Sequence, residues 1–382
     1  MTEAAGMEGA PAGDAGSGRI GRIPVRNLWL LMLYASDLAR WNGPFQGATE
    51  QDLDDIPDLV ARLLADAVER RLRRSLSGGY VQRDRRLSRV RGRIDLLRTE
   101  AQQLLTRGQV HCRFEEPTLD TPRNRLVRAA LDRLARLVSG PDLARRCRLL
   151  AVGLGRAGVG GLRPSRAELA ADQIGRNDDG DRLMVALARL AFDLALLTEE
   201  AGTTAMVSPD RDERRVRSLF EKAVLGFARL ELTPQGWSVR GGTPLSWPVA
   251  DMSEGMGAIL PGMRLDILLD APGGRRLVID TKFAAILRSG RFGQDRLSNG
   301  HLYQIYAYLR SQEERSPAWK TAAGLLLHPA VGATPHEWAA IQGHAIHAAA
   351  IDLTLSTADV RRALRRTILT AIGDGDGAGQ DG

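Results

Sequence analysis

The sequence predicts an α+β N-terminal domain followed by a smaller α/β domain. Helical periodicity alternates with short strand-like runs up to about residue 204, and near Ser208 a second series begins in the order helix, strand, strand, helix, strand, strand, helix. Within that series Asp266, Asp280 and Lys282 stand in runs that otherwise read as buried sheet, where charged groups occur with partners or with a task. The expected division is a disordered leader at 1–20, a first domain at 21–205, a second at 206–370 and a low-complexity tail at 371–382.

Along the first domain, "IPVRNLWLLMLYASDLARW" is apolar on nearly every side and reads as a buried helix, with Asn27 expected as its N-cap. A second helix, "DDIPDLVARLLADAVERRLRRSL", repeats apolar residues at Leu59, Leu63, Leu64, Ala67, Val68 and Leu72 beneath a basic outer face. The period then changes to two in "YVQRDRRLSRVRGRIDLL" and "QVHCRFEEPTL", with a short helical "TEAQQLLTR" between them. Thr121-Pro122 supplies a cap and an N1 proline for "RNRLVRAALDRLARLV". Residues 153–180 read as loop or short elements, and "DRLMVALARLAFDLALLTEE" as the last helix. In the second domain a helix, "RVRSLFEKAVLGFARLEL", precedes the hairpin "RLDILLDAPGGRRLVIDTKF". A helix "SNGHLYQIYAYLRSQEE", strands "TAAGLLLHPA" and "AIHAAAIDLTL", and a capped helix "STADVRRALRRTIL" complete it.

Composition excludes several classes. At 382 residues and 43% hydrophobic the chain fills real cores, yet it has no apolar run of the roughly 18 residues that a membrane span needs. The N-terminal stretch lacks a basic region followed by an apolar one, so no secretory signal is read and a cytoplasmic protein is expected. Cys112 and Cys147 are too few for a disulfide framework or a four-thiolate metal site, and Cys112 reads as a packed thiol. The net charge of +7 favours a polyanionic partner. Among 53 basic residues only Lys222, Lys282 and Lys320 are lysine, which marks Lys282 as a place where a compact ammonium is wanted.

The hairpin register follows from its pattern. With Asp266 opposite Asp280, Ile267 meets Ile279, Leu268 meets Val278 and Leu269 meets Leu277, leaving Ala271–Arg275 as the turn; a slip of one residue would turn the apolar faces outward. Two facing carboxylates repel unless a cation lies between them, and hard oxygen ligands beside phosphate point to Mg2+. Lys282 shares a face with Asp280 and is placed to steady an attacking water or the developing charge on phosphorus. Glu221 in the preceding helix is a candidate further ligand, with an ordinary exposed Glu-Lys pair as the alternative. Gln304 and Tyr308, four apart on one helix face, are candidates to brace the site or touch the phosphate backbone. Arg288, Arg291 and Arg296 are candidate phosphate contacts, although surface arginines of no special role fit the pattern too. His344 and His347 fall on opposite faces of a strand and make a poor metal pair. Asp120 and Asn124 read as shaping a helix start, and the glycine-rich tail lacks the closing glutamate of a calcium loop.

The second domain resembles the PD-(D/E)XK nuclease superfamily. Asp266 stands for the first aspartate, Asp280 to Lys282 for the (D/E)XK element, and Gln304 to Tyr308 for a QxxxY motif, while Leu265 replaces the usual proline. "IPVRNLWLLMLYASDL", "VRGRIDLLRT" and "CRFEEPTLDTPRNRLVRAAL" extend the likeness to the McrC family, the nuclease subunit of modified-cytosine restriction systems, from about Ile23 to Leu369. The resemblance implies an N-terminal domain docking onto a McrB-like AAA+ GTPase ring and a C-terminal Mg2+-dependent domain cutting double-stranded DNA. The chain has no G-x-x-x-x-G-K-[ST] loop, so GTP is expected to be bound by the partner. The arginine-rich run with Arg89, Arg91 and Arg93 is the candidate partner contact, a solvated basic strand face being the alternative. A stand-alone repair nuclease and a non-catalytic adaptor of an AAA+ ring are the rival readings.

Overall fold

The computed structural model describes residues 19–20, 23–36, 38, 55–172, 179–202, 209–282, 288–289, 295–332 and 334–373. The chain folds as two compact units, one joining residues 1–59 to 193–382 and the other spanning Val60–Phe192. This differs from the expected division near residue 205. Helix α1 (Val25–Ala35) belongs with the C-terminal elements because its apolar surface is buried there.

Two devices hold α1 in place. Asn27 is fully buried, and its amide donates to the carbonyls of Leu353 and Leu355, both at 2.8 Å. It is therefore not the N-cap expected from the sequence: the helix starts at Val25 behind Pro24, and the amide satisfies backbone acceptors more than 320 residues away. The second device is a close approach to helix α8, introduced below. Local sequence carries no sign of either partner.

The Val60–Phe192 unit takes up most of helix α2 (Ile56–Arg73) and continues into a three-stranded sheet. Strands β1 (Gly79–Leu87) and β2 (Arg93–Ile94) flank β3 (Val110–Thr118), with helix α3 (Leu96–Ala101) between β2 and β3. Cys112 on β3 is buried, as expected of a packed thiol. Thr121 caps α4 (Pro122–Leu137), accepting from the Asn124 backbone, while Asp120 accepts from Arg125 and from the Gly160 amide. Helix α5 (Pro141–Arg156) packs on α4 and runs through Gly153 into the segment read as loop; α6 (Arg166–Ala171) is a short element within it. Helix α7 (Asp179–Gly202) closes the unit.

In the other unit, helix α8 (Pro209–Leu232) buries Phe220, Val224 and Phe227. Phe227 meets Tyr34 of α1 edge-on, with ring centroids 5.4 Å apart. A Cβ at Gly226 would lie 1.7 Å from the Tyr34 carbonyl oxygen, so only glycine allows the two helices to approach this closely.

Six strands follow: β4 (Ser238–Leu245), β5 (Met263–Asp270), β6 (Arg276–Thr281), β7 (Ala323–Ala330), β8 (His336–Ile341) and β9 (His344–Asp352), in spatial order β8-β9-β7-β6-β5-β4. Helix α9 (Asn299–Arg310) crosses from β6 to its parallel neighbour β7, and α10 (Thr357–Ile372) packs on β9, β7 and β6. The predicted hairpin register is observed: Ile267 pairs Ile279, Leu268 pairs Val278 and Leu269 pairs Leu277. Gly273 and Gly274 hold the turn at φ of 94° and 86°, a region that side chains resist. Strands β4 and β8 were not expected. Both lie at the sheet's edges, where one side meets solvent, and "SVRGGTPL" carries two glycines and a proline in place of a strand pattern.

Gly226→Ala is a test of the α1 docking. Helix propensity alone would stabilise by about 1 kcal/mol, but the backbone clash has to be relieved, and such overpacking costs roughly 1–3 kcal/mol. Net destabilisation in urea unfolding is expected, with α1 released; a stabilised variant would show that the close approach does not constrain the fold.

Candidate active site

The face of the sheet beneath α9 is identified by its contacts. Leu268, Val278 and Leu326 cluster with Ile305, Tyr308 and Leu309 of the helix, and a Cβ at Gly324 would lie 2.8 Å from Ile305. Because side chains alternate, Asp266, Asp280 and Lys282 belong to that same face, where the apolar cluster ends.

Asp280 is 1% exposed, and its Oδ2 lies 2.7 Å from Lys282 Nζ. The ammonium also donates to Gln304 Oε1 at 3.0 Å. Since an ammonium can only donate, it selects the amide oxygen and turns the Gln304 nitrogen away. That nitrogen donates to the Tyr308 hydroxyl at 2.6 Å, which in turn donates to the Arg264 carbonyl at 3.0 Å. Burial, first among the causes, raises the Tyr308 pKa above its ordinary value and keeps the hydroxyl a donor. Asp266 is held from the other strand, its Oδ2 accepting from the Thr281 backbone at 2.8 Å and from the Thr281 hydroxyl at 3.0 Å. The residue between Asp280 and Lys282 thus ties the first carboxylate to the second.

Sequence reasoning and structure agree on this convergence of Asp266, Asp280, Lys282, Gln304 and Tyr308. Tyr308 is buried and braces the site, so of its two expected roles the contact with the phosphate backbone has no exposed surface to support it. Glu221 is half-buried on α8. Asp266 and Asp280 are the carboxylates that the hairpin register places on one face. A pair of carboxylates suits Mg2+, which takes one or two of them and keeps several waters.

The arginine candidates are placed unevenly. Arg288 and Arg296 face each other across two short paired strands, Arg288–Ser289 and Asp295–Arg296, whereas Arg291 lies outside the described residues. In the Val60–Phe192 unit Arg89, Arg91 and Arg93 are exposed. Arg91 lies over the Phe114 ring at 4.3 Å and Arg93 opposite Arg113.

His344 and His347 are not a pair, as their spacing implied. Buried His344 contacts the Ala322 carbonyl and Glu313, whereas His347 meets His336 at 3.3 Å and stacks on Trp338. Burial, then the neighbouring His336, lowers the His347 pKa from 6.5 to about 4. Burial also lowers that of His336.

Comparison with known proteins adds an independent line. A family model described as "McrBC 5-methylcytosine restriction system component" matches residues 17–198. The type IV methyl-directed restriction enzyme EcoKMcrBC of Escherichia coli K12 is 25% identical over 316 residues, covering 81% of this chain and 86% of the relative. Among solved structures, an assembly of Thermococcus gammatolerans McrB AAA+ hexamers with bound McrC aligns at 15% identity and a TM-score of 0.43, covering 90% of this chain and 75% of the other. A cryo-EM structure of the McrBC complex from the same organism aligns at 13% identity and 0.32, covering 48% and 60%. The resemblance to the McrC family read from the sequence is borne out. No helix among the described residues is long and apolar enough to cross a membrane.

Two outcomes test the electrostatics. Lys282→Met should cost roughly 3–5 kcal/mol, because it strands a buried carboxylate, and Asp280→Asn in the same chain should recover much of the loss in a urea-unfolding cycle. Independent losses that simply add would mean that the ion pair does not hold the site. For His347 the folded pKa lies below the unfolded one, so its contribution is full above pH 6.5 and is lost as pH falls towards 4. Stability compared at pH 7 and 4.5 should fall less in His347→Gln than in the unaltered chain; an equal fall would contradict this.

Proposed function

We propose that this chain is the nuclease subunit of a McrBC-type restriction complex, a Mg2+-dependent DNA endonuclease whose cutting is licensed by a GTP-hydrolysing AAA+ ring. The observation that carries the chemistry is the convergence of Asp266, Asp280 and Lys282 at one end of the β5-β6 hairpin, with Gln304 and Tyr308 above them. The order helix, three strands, helix, parallel strand, from α8 through β7, supports a PD-(D/E)XK reading of the second unit.

In this reading Asp266 and Asp280, with Glu221 as the candidate further ligand, would hold Mg2+, which when bound would neutralise phosphate charge and lower the pKa of a coordinated water. Lys282 orients the attacking water and stabilises charge at phosphorus. Gln304 keeps the ammonium in place, and Tyr308 fixes Gln304 to the β5 backbone. Arg288, Arg291 and Arg296 serve as phosphate contacts, which would make DNA binding salt-dependent.

The remaining work belongs to the partner. The McrB AAA+ hexamers named for the Thermococcus assembly supply the precedent for a ring with a bound subunit of this kind. GTP and the recognition of 5-methylcytosine are assigned to that ring, since this chain carries no phosphate-binding loop. Residues 60–192 dock onto it, with Arg89, Arg91 and Arg93 as the surface that stimulates its GTPase.

The test is cleavage of methylated and unmethylated plasmid by the chain with its McrB-like partner, Mg2+ and GTP. Asp280→Ala should lower the cutting of methylated DNA by roughly 100- to 1,000-fold, the scale of losing a charge-stabilising group, while GTP turnover persists. Undiminished cutting would remove the nuclease assignment. Cutting by the chain alone, without partner or GTP, would favour a stand-alone nuclease.

A further inference from the structure

The nuclease face continues beyond the residues that sequence pattern picked out. Asp266 lies on β5 and Asp280 on β6, and the next strand, β7, runs parallel to β6 with Leu326 opposite Asp280. The pairing extends past the last strand residue, because the Lys282 amide donates to the Leu327 carbonyl at 2.9 Å. His328 therefore stands beside Lys282 on the face that α9 covers. It is 1% exposed.

Above it lies His301, in the first turn of α9 and half-buried, with its ring centroid 6.1 Å from that of His328 at a tilt of 44°. His301 precedes Gln304 by three residues, so the two share a helix face. Among the described residues, the charged and titratable groups that strand register and helical period place on this face are Asp266 on β5, Asp280 and Lys282 on β6, and Tyr308 on α9. One side of the site is thus carboxylate and fits a cation. Beyond the ammonium that answers Asp280 lie two imidazoles and the N-terminal end of a 12-residue helix, a setting that favours an anion.

We infer that His301 is a substrate-binding residue that donates to a non-bridging oxygen of a DNA phosphate, and that His328 is a positioning residue that holds the His301 ring. This rests on the nuclease reading above. A histidine serving only to fill the core would be closed from solvent, as His328 is; His301 is half open in the first turn of α9.

The experiment uses the full chain with its McrB-like partner, Mg2+, GTP and a methylated duplex. Wild type, Asp280→Ala, His301→Ala, His301→Lys and His328→Asn are compared, each assayed well below its own unfolding midpoint. His301→Ala should raise KM for the duplex on the order of 10- to 100-fold, the size of a hydrogen bond to a charged group, with kcat little changed. His301→Lys, which keeps a donor, should recover most of the affinity. His328→Asn should raise KM less, and should add nothing once His301 is alanine.

Unchanged KM in His301→Ala overturns the inference, and so does equal loss in the alanine and lysine variants, which would make the residue structural. If wild type does not cut, or Asp280→Ala cuts as well as wild type, the nuclease reading has failed instead. In that event, duplex binding in Ca2+ that is weakened by His301→Ala and restored by His301→Lys still supports the phosphate contact, and equal binding by all three rejects it.

Discussion

A buried carboxylate next to a buried ammonium is the constraint around which the sheet is organised. Asp280 sits at the end of a strand flanked on both sides, 1% exposed, and the isolated charge would be expelled from such a place. Lys282 answers it at 2.7 Å but is itself only 8% exposed, so the ammonium needs acceptors of its own. Gln304 supplies one, and the requirement passes to Tyr308 and then to a backbone carbonyl of β5. Each hydrogen bond has its direction determined by the previous one, beginning with a cation that cannot accept. Such a pair contributes less to stability than apolar residues of the same shape often would. Its retention at the end of an otherwise apolar sheet is intelligible as the cost of holding a charged site in one geometry.

That the hairpin was legible in the sequence follows from the same alternation. With period two, a buried face leaves one register that keeps Ile267, Ile279, Leu269 and Leu277 together, and the glycines mark the turn. The site inherits this legibility, because Asp266, Asp280 and Lys282 are placed by that register, and Gln304 and Tyr308 by the helical period. His328 was missed for a definite reason. Its position depends on which strand lies beside β6, and parallel neighbours are joined by a crossover whose pairing leaves no local signal. Strands β4 and β8 escaped for the opposite reason: edge strands have one side free to carry polar residues, glycine and proline.

Helix α1 shows the limit of reading domains along the chain. Its apolar composition announces burial but not the surface that buries it. The surface is chosen by Gly226, which lets two backbones approach, and by carbonyls at Leu353 and Leu355 that require a donor. A glycine inside a helix and two backbone carbonyls after a strand are individually unremarked in a sequence. Together they make the second unit discontinuous, so that residues 60–192 stand in the chain as an insertion between its first helix and its sheet.

This connectivity also separates the lines of support for function. The family match spans residues 17–198, which contain the inserted unit and α1 but none of Asp266, Asp280, Lys282, Gln304 and Tyr308. The family-model match is thus confined to one part of the chain, whereas the likeness to the Escherichia coli relative covers 81% of it and extends into the sheet-bearing unit. The matched segment is joined physically to the rest by α1, which lies within it yet docks on α8, the helix leading into the six-stranded sheet. A sequence that preserves the α1 segment preserves a piece of the core of the sheet-bearing unit. The family-model match accordingly bears on the sheet-bearing unit through the packing of α1 on α8, although it does not itself reach the carboxylates.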